Sequence, residues 1–437
     1  MSIEVLTLVL LASLLVVFAA GTPVGFGLGG IAMAVAAFTW GPQAFKLIPT
    51  TAMSAISSFI LLAIPLFIFM GQVLVRSGLG EAMFHAGHVL AGRMRGGLAI
   101  GVIVICALIG AMVGIIGAGI MTAGSVALKP MFDRGYDRRL ALGAVMAGGG
   151  LGILIPPSIP MILFAAVTKS SIGKMFAGGL VPAAIMVALF VVYIGVTCWL
   201  HPERGPALPA EERGTVRDKL IAMRDGAVAF ALIVLVLGSI LFGVATPTEA
   251  AAIGGMGAIV IAITYRRFNF GVLQEASIGA MQLTAIAVWI IIGATLFTNF
   301  HMMMGAGRLL GAMTANTTFG PRGVIVMMQL SMLVMGLFID EFIIVIICAP
   351  LYTPIAVALG FDPIWFGILM ILNMEIAIQT PPYGFALFYL KSVAPPDVTM
   401  MEIYRSIGPF IAIKLIVLVL CMAFPDLITW LPNLLFD

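Results

Sequence analysis

Apolar runs about long enough to cross a hydrocarbon core as a helix recur from one end of this sequence to the other. They fall at about 3–20, 23–40, 58–76, 97–128, 179–200, 224–243, 247–266, 283–304, 322–348 and 407–430. Of the 437 residues, 62% are hydrophobic and 9% charged. An average soluble domain is about a quarter charged, so this chain cannot clothe a water-facing surface. It reads as an all-α, multi-pass membrane protein lodged in a lipid bilayer. The first run has no basic flank, and Glu4 stands where a secretory signal would carry positive charge, so it is expected to be a retained span. No basic, aromatic-interleaved stripe points to nucleic acid. No phosphate-cradling GxxxxGK[ST] loop is present for ATP hydrolysis, and no HExxH or GxSxG constellation marks an enzyme. The four cysteines show no metal-ligand or CxxC spacing and read as structural thiols.

Two apolar segments are interrupted. Residues 138–172 are broken by Ile155-Pro156-Pro157-Ser158, and 363–392 by Thr380-Pro381-Pro382-Tyr383. A double proline removes two amide donors and ends the helix before it. Each arm is too short to cross comfortably, so the expectation is a re-entrant helical hairpin at 138–172 and another at 363–392. The polar stretch from His201 to Arg224 divides the chain into a first half (1–200), a linker (201–223) and a second half (224–437). Matching motifs tie the halves together. Gly135-Tyr136-Asp137 and Gly360-Phe361-Asp362 precede the two proline pairs at the same distance, offset by 225 residues. Thr22-Pro23 matches Thr246-Pro247 at 224, and Arg95-Gly96 matches Arg322-Gly323 at 227. Each half then holds five crossings and one hairpin. Five is odd, so the second half is expected to be inverted relative to the first, a hallmark of secondary transporters. The linker side collects more Lys and Arg in its loops than the opposite side, and so reads as cytoplasmic.

The interruptions carry the candidate chemistry. At the first tip, glycines 148–150 and 152 with Pro156 and Pro157 strip or redirect backbone donors, leaving bare carbonyl oxygens. Such oxygens are tolerated at membrane depth only around a protein-buried or wet cavity, and they suit a desolvated Na+. The helix that starts after Pro157, at Ser158, points a positive dipole end at the same place, which suits a carboxylate. The second tip repeats this logic with Pro381, Pro382, Tyr383 and Gly384, and Thr380 adds a hydroxyl. Thr246 reads either as a ligand or as the cap of a helix starting at Pro247. Asp340, deep in an apolar context beside Glu341, is a candidate sodium ligand or proton carrier. Glu375 and Asn373 read as lumen-facing or as structural, Glu375 being a candidate partner for Lys391. Lys414 reads as snorkelling to an interface.

With these residues assembled, the chain resembles the large membrane subunit of TRAP transporters, the DctM-like family. The likeness rests on Gly152-Ile153-Leu154-Ile155-Pro156-Pro157-Ser158, Gly135-Tyr136-Asp137-Arg138-Arg139, Thr246-Pro247-Thr248-Glu249-Ala250-Ala251, Gly360-Phe361-Asp362-Pro363-Ile364-Trp365-Phe366-Gly367 and Thr380-Pro381-Pro382-Tyr383-Gly384. The resemblance implies an elevator-type, Na+-coupled importer of small organic acids in the bacterial inner membrane. It would work with a small four-helix membrane subunit and a periplasmic binding protein. It also implies one sodium near the first tip, through carbonyls of Gly152, Ile155 and Pro157, and a second near the second tip with Asp340. Substrate would sit between the tips. Residues 111–122, where many members carry hydroxyls, hold only Thr122 here; either backbone oxygens, with Thr122, complete the first site, or that sodium site is weakened. The alternative is a stand-alone cation-coupled carboxylate carrier or exporter with the same two-hairpin architecture.

Overall fold

Inside hydrocarbon only a helix satisfies its own amides locally, and every regular element among the described residues is helical. The computed structural model describes residues 2–57, 59–91, 94–114, 116–207, 209, 216–306 and 320–436. Residues 208 and 210–215 of the polar linker lie outside the described ones. The first half contains α1 (Ile3–Ala19), α2 (Val24–Trp40), α3 (Leu47–Ile56), α4 (Ala63–Arg76), α5 (Leu79–Ala91) and α6 (Gly97–Val113). It continues with α7 (Ile116–Asp133), α8 (Arg138–Gly150), α9 (Ile159–Thr168) and α10 (Ile172–Leu200). The second half contains α11 (Val216–Leu241), α12 (Pro247–Thr264), α13 (Phe270–Met303), α14 (Gly320–Gly336) and α15 (Glu341–Ala358). It ends with α16 (Pro363–Ala377), α17 (Phe385–Val393), α18 (Met400–Ala423) and α19 (Asp426–Phe436). By length and composition, seven described helices could cross a membrane.

The helices sort into two sets. In one, α2 and α4 pack on α13, and α4 packs on α12. Helix α1 joins through a 2.8 Å bond between Thr7 Oγ1 and His301 Nε2. Arg76 pairs with Glu275 at 3.2 Å and Arg267 with Glu81 at 3.3 Å, forming a charged rim where α4 ends and α13 begins. The other set, α6 to α10 and α14 to α19, holds both proline pairs.

Backbone hydrogen bonds decide which segments turn back. The amide of Gly96 donates to Gly205 O (2.8 Å), and that of Asp137 to Arg204 O (2.9 Å). Leu98 N–H reaches the Tyr136 hydroxyl (3.2 Å). The chain therefore enters α6 and leaves α7 at one place, the linker end. Between them Gly114 sits at φ +66, where an L side chain is strained, and α6 and α7 pack together. This pair, 97–133, is a re-entrant hairpin.

The proline-broken segment behaves differently. Helix α8 starts at the linker end, where α10 finishes, and three residues separate α9 from α10. In between the two run antiparallel. Gly143 lies against Phe410, whose ring meets Phe190 and Tyr193 of α10 at 5.4 and 5.2 Å, and Gly179 of α10 lies against Leu154 O and Met161. Segment 138–168 thus travels the length of α10, about 43 Å at 1.5 Å per residue.

The second half repeats this arrangement. Trp365 Nε1 donates to Cys421 O at 2.8 Å, pinning the start of α16 to the end of α18. Arg138 pairs with Asp397, whose carboxyl that guanidinium holds below its usual range, and lies 3.9 Å from Glu402. The end of α17 and the start of α18 therefore sit at the linker end, and 363–393 crosses from one end to the other. Helices α14 and α15 double back on each other through Ser331 and Tyr352 (3.0 Å). Helix α14 runs parallel to α16, with Asn373 bonded to Gln329 and Gly336 against Ala377.

This corrects the expected hairpins. Segments 138–172 and 363–392 are broken as expected, but they are interrupted crossings; the hairpins are 97–133 and 320–358. The sequence presented 97–128 and 322–348 as unbroken runs because their turns, at Gly114 and at Leu337–Ile339, are made of residues as apolar or small as the helices around them. Three helices are longer than their apolar runs: α10 begins at Ile172, α11 at Val216 and α13 at Phe270. Helices α3, α5 and α19 were not expected.

Sided labelling tests this topology. Asp133→Cys and Lys169→Cys, both at exposed positions, should react with a membrane-impermeant maleimide from opposite faces. The four native cysteines are buried and should stay silent. Labelling of both from one face would restore the re-entrant reading of 138–172.

Two paired helix breaks form the candidate functional site

Each hairpin turn is laid on a proline break. A methyl added at Gly114 would stand 2.6 Å from Pro157 O, and one at Gly110 would stand 2.8 Å from Gly152 Cα. The first hairpin thus covers the first tip at backbone distance, which only glycine allows. In the second half Gly336 abuts Ala377, and the Phe338 ring lies 5.6 Å from that of Tyr383. The hairpins also cross over. Gly117 of α7 rests on the Tyr389 ring of α17, and α15 packs on α9.

At the first tip, Gly152, Pro156, Pro157 and Ser158 are buried and Ile155 half-buried. Ser158 caps α9: its hydroxyl donates to Ile153 O and accepts from Met161 N. That leaves the carbonyls of Ile155, Pro156 and Pro157 accepting no hydrogen bond among the described residues. A buried carbonyl without a partner needs one, and hard oxygen donors suit a hard cation. The residues here therefore fit a sodium ion, with the N-terminus of α9 beside it for an anion.

The second tip is less bare. Thr380 Oγ1 donates to Ile376 O (2.7 Å), and Pro382 O accepts from the Tyr404 hydroxyl (2.8 Å). Pro382 and Tyr383 are exposed, and Gly384 is buried against Ile378 O and Thr380 O. Asp340 caps α15, accepting from Phe342 N at 3.0 Å. Its carboxyl lies beside that of the buried Glu341, and both are within electrostatic reach of Tyr389.

The structure brings Gly152, Ile155, Pro156, Pro157 and Ser158 to the first tip and Thr380, Pro381, Pro382, Tyr383 and Gly384 to the second, with Asp340 in the facing hairpin turn. Two candidates lie elsewhere. Thr122 is two turns beyond Gly114 and lies against Gly80. Thr246 sits in a capping box: its amide and hydroxyl both donate to the Glu249 carboxylate at 2.8 Å. Glu375 does not pair with Lys391, which donates instead to Val398 O. Nor does Lys414 snorkel: it is fully buried and lies 2.8 Å from Glu375. Sequence reasoning passed over Gly110 and Gly114 as site-forming residues, and their spacing inside an apolar run was the only signal.

Thr246→Ala should lower stability by about 1 kcal/mol, the usual worth of a lost cap, in thermal unfolding, with transport per folded molecule unchanged. Selective loss of transport would return Thr246 to the site.

The sequence profile of a family described as the tripartite ATP-independent periplasmic transporter, DctM component, matches residues 11–427. The chain is 31% identical over 405 residues to the C4-dicarboxylate TRAP transporter large permease protein DctM of Pseudomonas aeruginosa, covering 92% of this chain and 93% of that one. The protein of the same description from Rhodobacter capsulatus is 30% identical over 443 residues, covering 98% and 99%. The sialic acid TRAP transporter large permease protein SiaM of Vibrio cholerae is 28% identical over 417 residues, covering 95% and 96%. Among solved structures, the YdaH transporter of Alcanivorax borkumensis matches with a TM-score of 0.65 at 16% identity over 90% of each chain. MtrF of Neisseria gonorrhoeae matches with a TM-score of 0.60 at 13% identity, over 87% of this chain and 83% of that one. At such identities these two likenesses concern the fold alone. The chain belongs to the DctM family, the large permease subunits of TRAP transporters, and is a multi-pass protein of the inner membrane.

Proposed function

We propose that this permease carries a small organic acid, a C4-dicarboxylate or comparable carboxylate, into the cell with Na+ as the coupling ion. The observation that carries the reading is the pair of proline-broken crossings. Each is covered by a hairpin turn, and in the first the carbonyls of Ile155, Pro156 and Pro157 accept no hydrogen bond among the described residues. Helix N-termini and free carbonyls at one depth can hold an anion and a cation side by side. The C4-dicarboxylate relatives and the sialic acid relative support an acid as cargo. In this reading Asp340 supplies a carboxylate beside the second tip. A periplasmic binding protein delivers the acid, and a small four-helix membrane subunit completes the complex.

Movement is read as an elevator. The unit holding the tips meets the other helix set along a seam where Gly71 of α4 touches Val113, beside the Gly114 turn. Gly71 is five residues from Arg76 in the charged rim, about 8 Å along the helix, so the tips lie near one face of that set. A cavity of ≈ 210 Å³, lined by Leu74, Gly80, Ile109, Met112 and Thr122, lies at the seam. The two halves are read as inverted repeats, because exchanging hairpin and crossing leaves the number of crossings in each half unchanged. The alternative reading is a stand-alone exporter; MtrF, which shares this fold, is described among antimetabolite efflux pumps. Copurification of a small membrane subunit would decide between them.

In proteoliposomes containing the whole transporter and its binding protein, uptake of a labelled C4-dicarboxylate at fixed pH should require an inward Na+ gradient. Uptake that ignores the gradient would remove Na+ as the coupling ion. Asp340→Asn should lower Na+-driven uptake on the order of tenfold or more at normal expression. Uptake at the unmodified rate would remove Asp340 from the site.

A further inference from the structure

Lys414 lies in the middle of α18 with no solvent exposure, and its ammonium is 2.8 Å from a Glu375 carboxylate that is equally buried. Desolvating two such charges is expensive, and apolar residues of similar volume are often as good or better for stability. The pair calls for a reason beyond holding the fold together, and its surroundings supply one. The ion pair with Glu375 is not the only polar contact of the ammonium. Lys414 Nζ donates to Gln379 Oε1 at 2.6 Å, and Gln379 Nε2 donates to Met146 O at 2.9 Å.

These contacts bridge the two broken crossings. Met146 and Gly150 belong to the last turn of α8, on the way into the first tip. Gln379 follows the C-cap of α16 and immediately precedes Thr380 and Pro381 of the second tip. Gly150 is where they touch: a methyl there would stand 2.1 Å from Gln379 Nε2 and 2.9 Å from Lys414 Nζ. Both α8 and α16 end here, and a helix C-terminus carries about half a negative charge on its unpaired carbonyls. The ammonium therefore sits between two negative helix ends, with Glu375 balancing its charge.

We propose that Lys414 is a positioning residue for both tips. Its ammonium acts as a resident cation for the C-terminal ends of α8 and α16. Through Gln379 it ties the two crossings into one body that moves as a unit. The proposal rests on reading the tips as the binding elements, and it assigns Gln379 the task of transmitting the constraint.

Gln379→Leu keeps the volume and the Glu375–Lys414 pair but cuts the link to Met146. In the intact transporter this variant should melt near the parent temperature, while uptake per folded molecule falls on the order of tenfold to a hundredfold and the Na+ half-saturation point rises. Spin labels at the exposed positions Arg139→Cys and Ser392→Cys, one on each crossing, should give a narrow distance distribution in the parent and a broad one with Gln379→Leu. The double variant Glu375→Gln with Lys414→Met, which leaves no unpaired charge, should broaden it as well. A distribution that stays narrow in both variants overturns the brace whatever the tips bind, because this readout does not depend on transport. Parent-like uptake by Gln379→Leu would also overturn it. If instead the distances broaden while uptake follows only the amount of folded protein, Lys414 is a structural brace and not a positioning residue.

Discussion

Unpaired backbone oxygen inside a low-dielectric core is the constraint on which this architecture depends. A proline pair creates such oxygens by deleting donors, and hydrocarbon has none to offer. The fold answers by laying one backbone interruption over another: the Gly114 turn on Pro157, Gly110 on Gly152, and the turn after Gly336 on the end of α16 at Ala377. Side chains larger than hydrogen would hold these backbones apart. The glycines are therefore the means by which two breaks come close enough to share a polar interior screened from lipid.

The two tips differ in how much of that interior is already satisfied. At the second, Tyr404 occupies the Pro382 carbonyl and Thr380 turns back onto its own helix. At the first, Ser158 serves the Ile153 carbonyl and the capping of α9, and the carbonyls of Ile155, Pro156 and Pro157 accept no hydrogen bond among the described residues. A site built this way has an oxygen-rich side and a side where a carboxyl is at hand, Asp340 with Glu341 beside it. Beside the tips, the buried lysine lies at the C-terminal ends of α8 and α16, which lead into them. The interior thus separates groups that the protein already satisfies from carbonyls that accept no hydrogen bond among the described residues.

Placement in the membrane, the breaks at both proline pairs and the capping of α12 by Thr246 were all legible in the sequence. Hydrophobic length, missing amide donors and a Thr-x-x-Glu spacing act within a few residues of themselves. The identity of the hairpins was not legible. A re-entrant pair and an interrupted crossing have the same hydrophobic length, and exchanging them leaves the crossing count unaltered, so no periodicity separates them. The amides of Gly96 and Asp137 separate them by finding Arg204 and Gly205 at a single end of the molecule.

Glu375, Gln379 and Lys414 show the same limit from the side of charge. A lysine within an apolar helix reads equally well as one that snorkels, because its four-carbon stem can reach an interface and the sequence does not record where that interface lies. Its partners are 39 and 35 residues away, and the carbonyl that completes the network belongs to the other half of the chain. What the sequence determined by itself was therefore everything governed by local donor loss, local capping and hydrophobic length. Only the tertiary structure decided which breaks face each other and which charges meet, because those depend on contacts between segments whose separation along the chain carries no energy of its own.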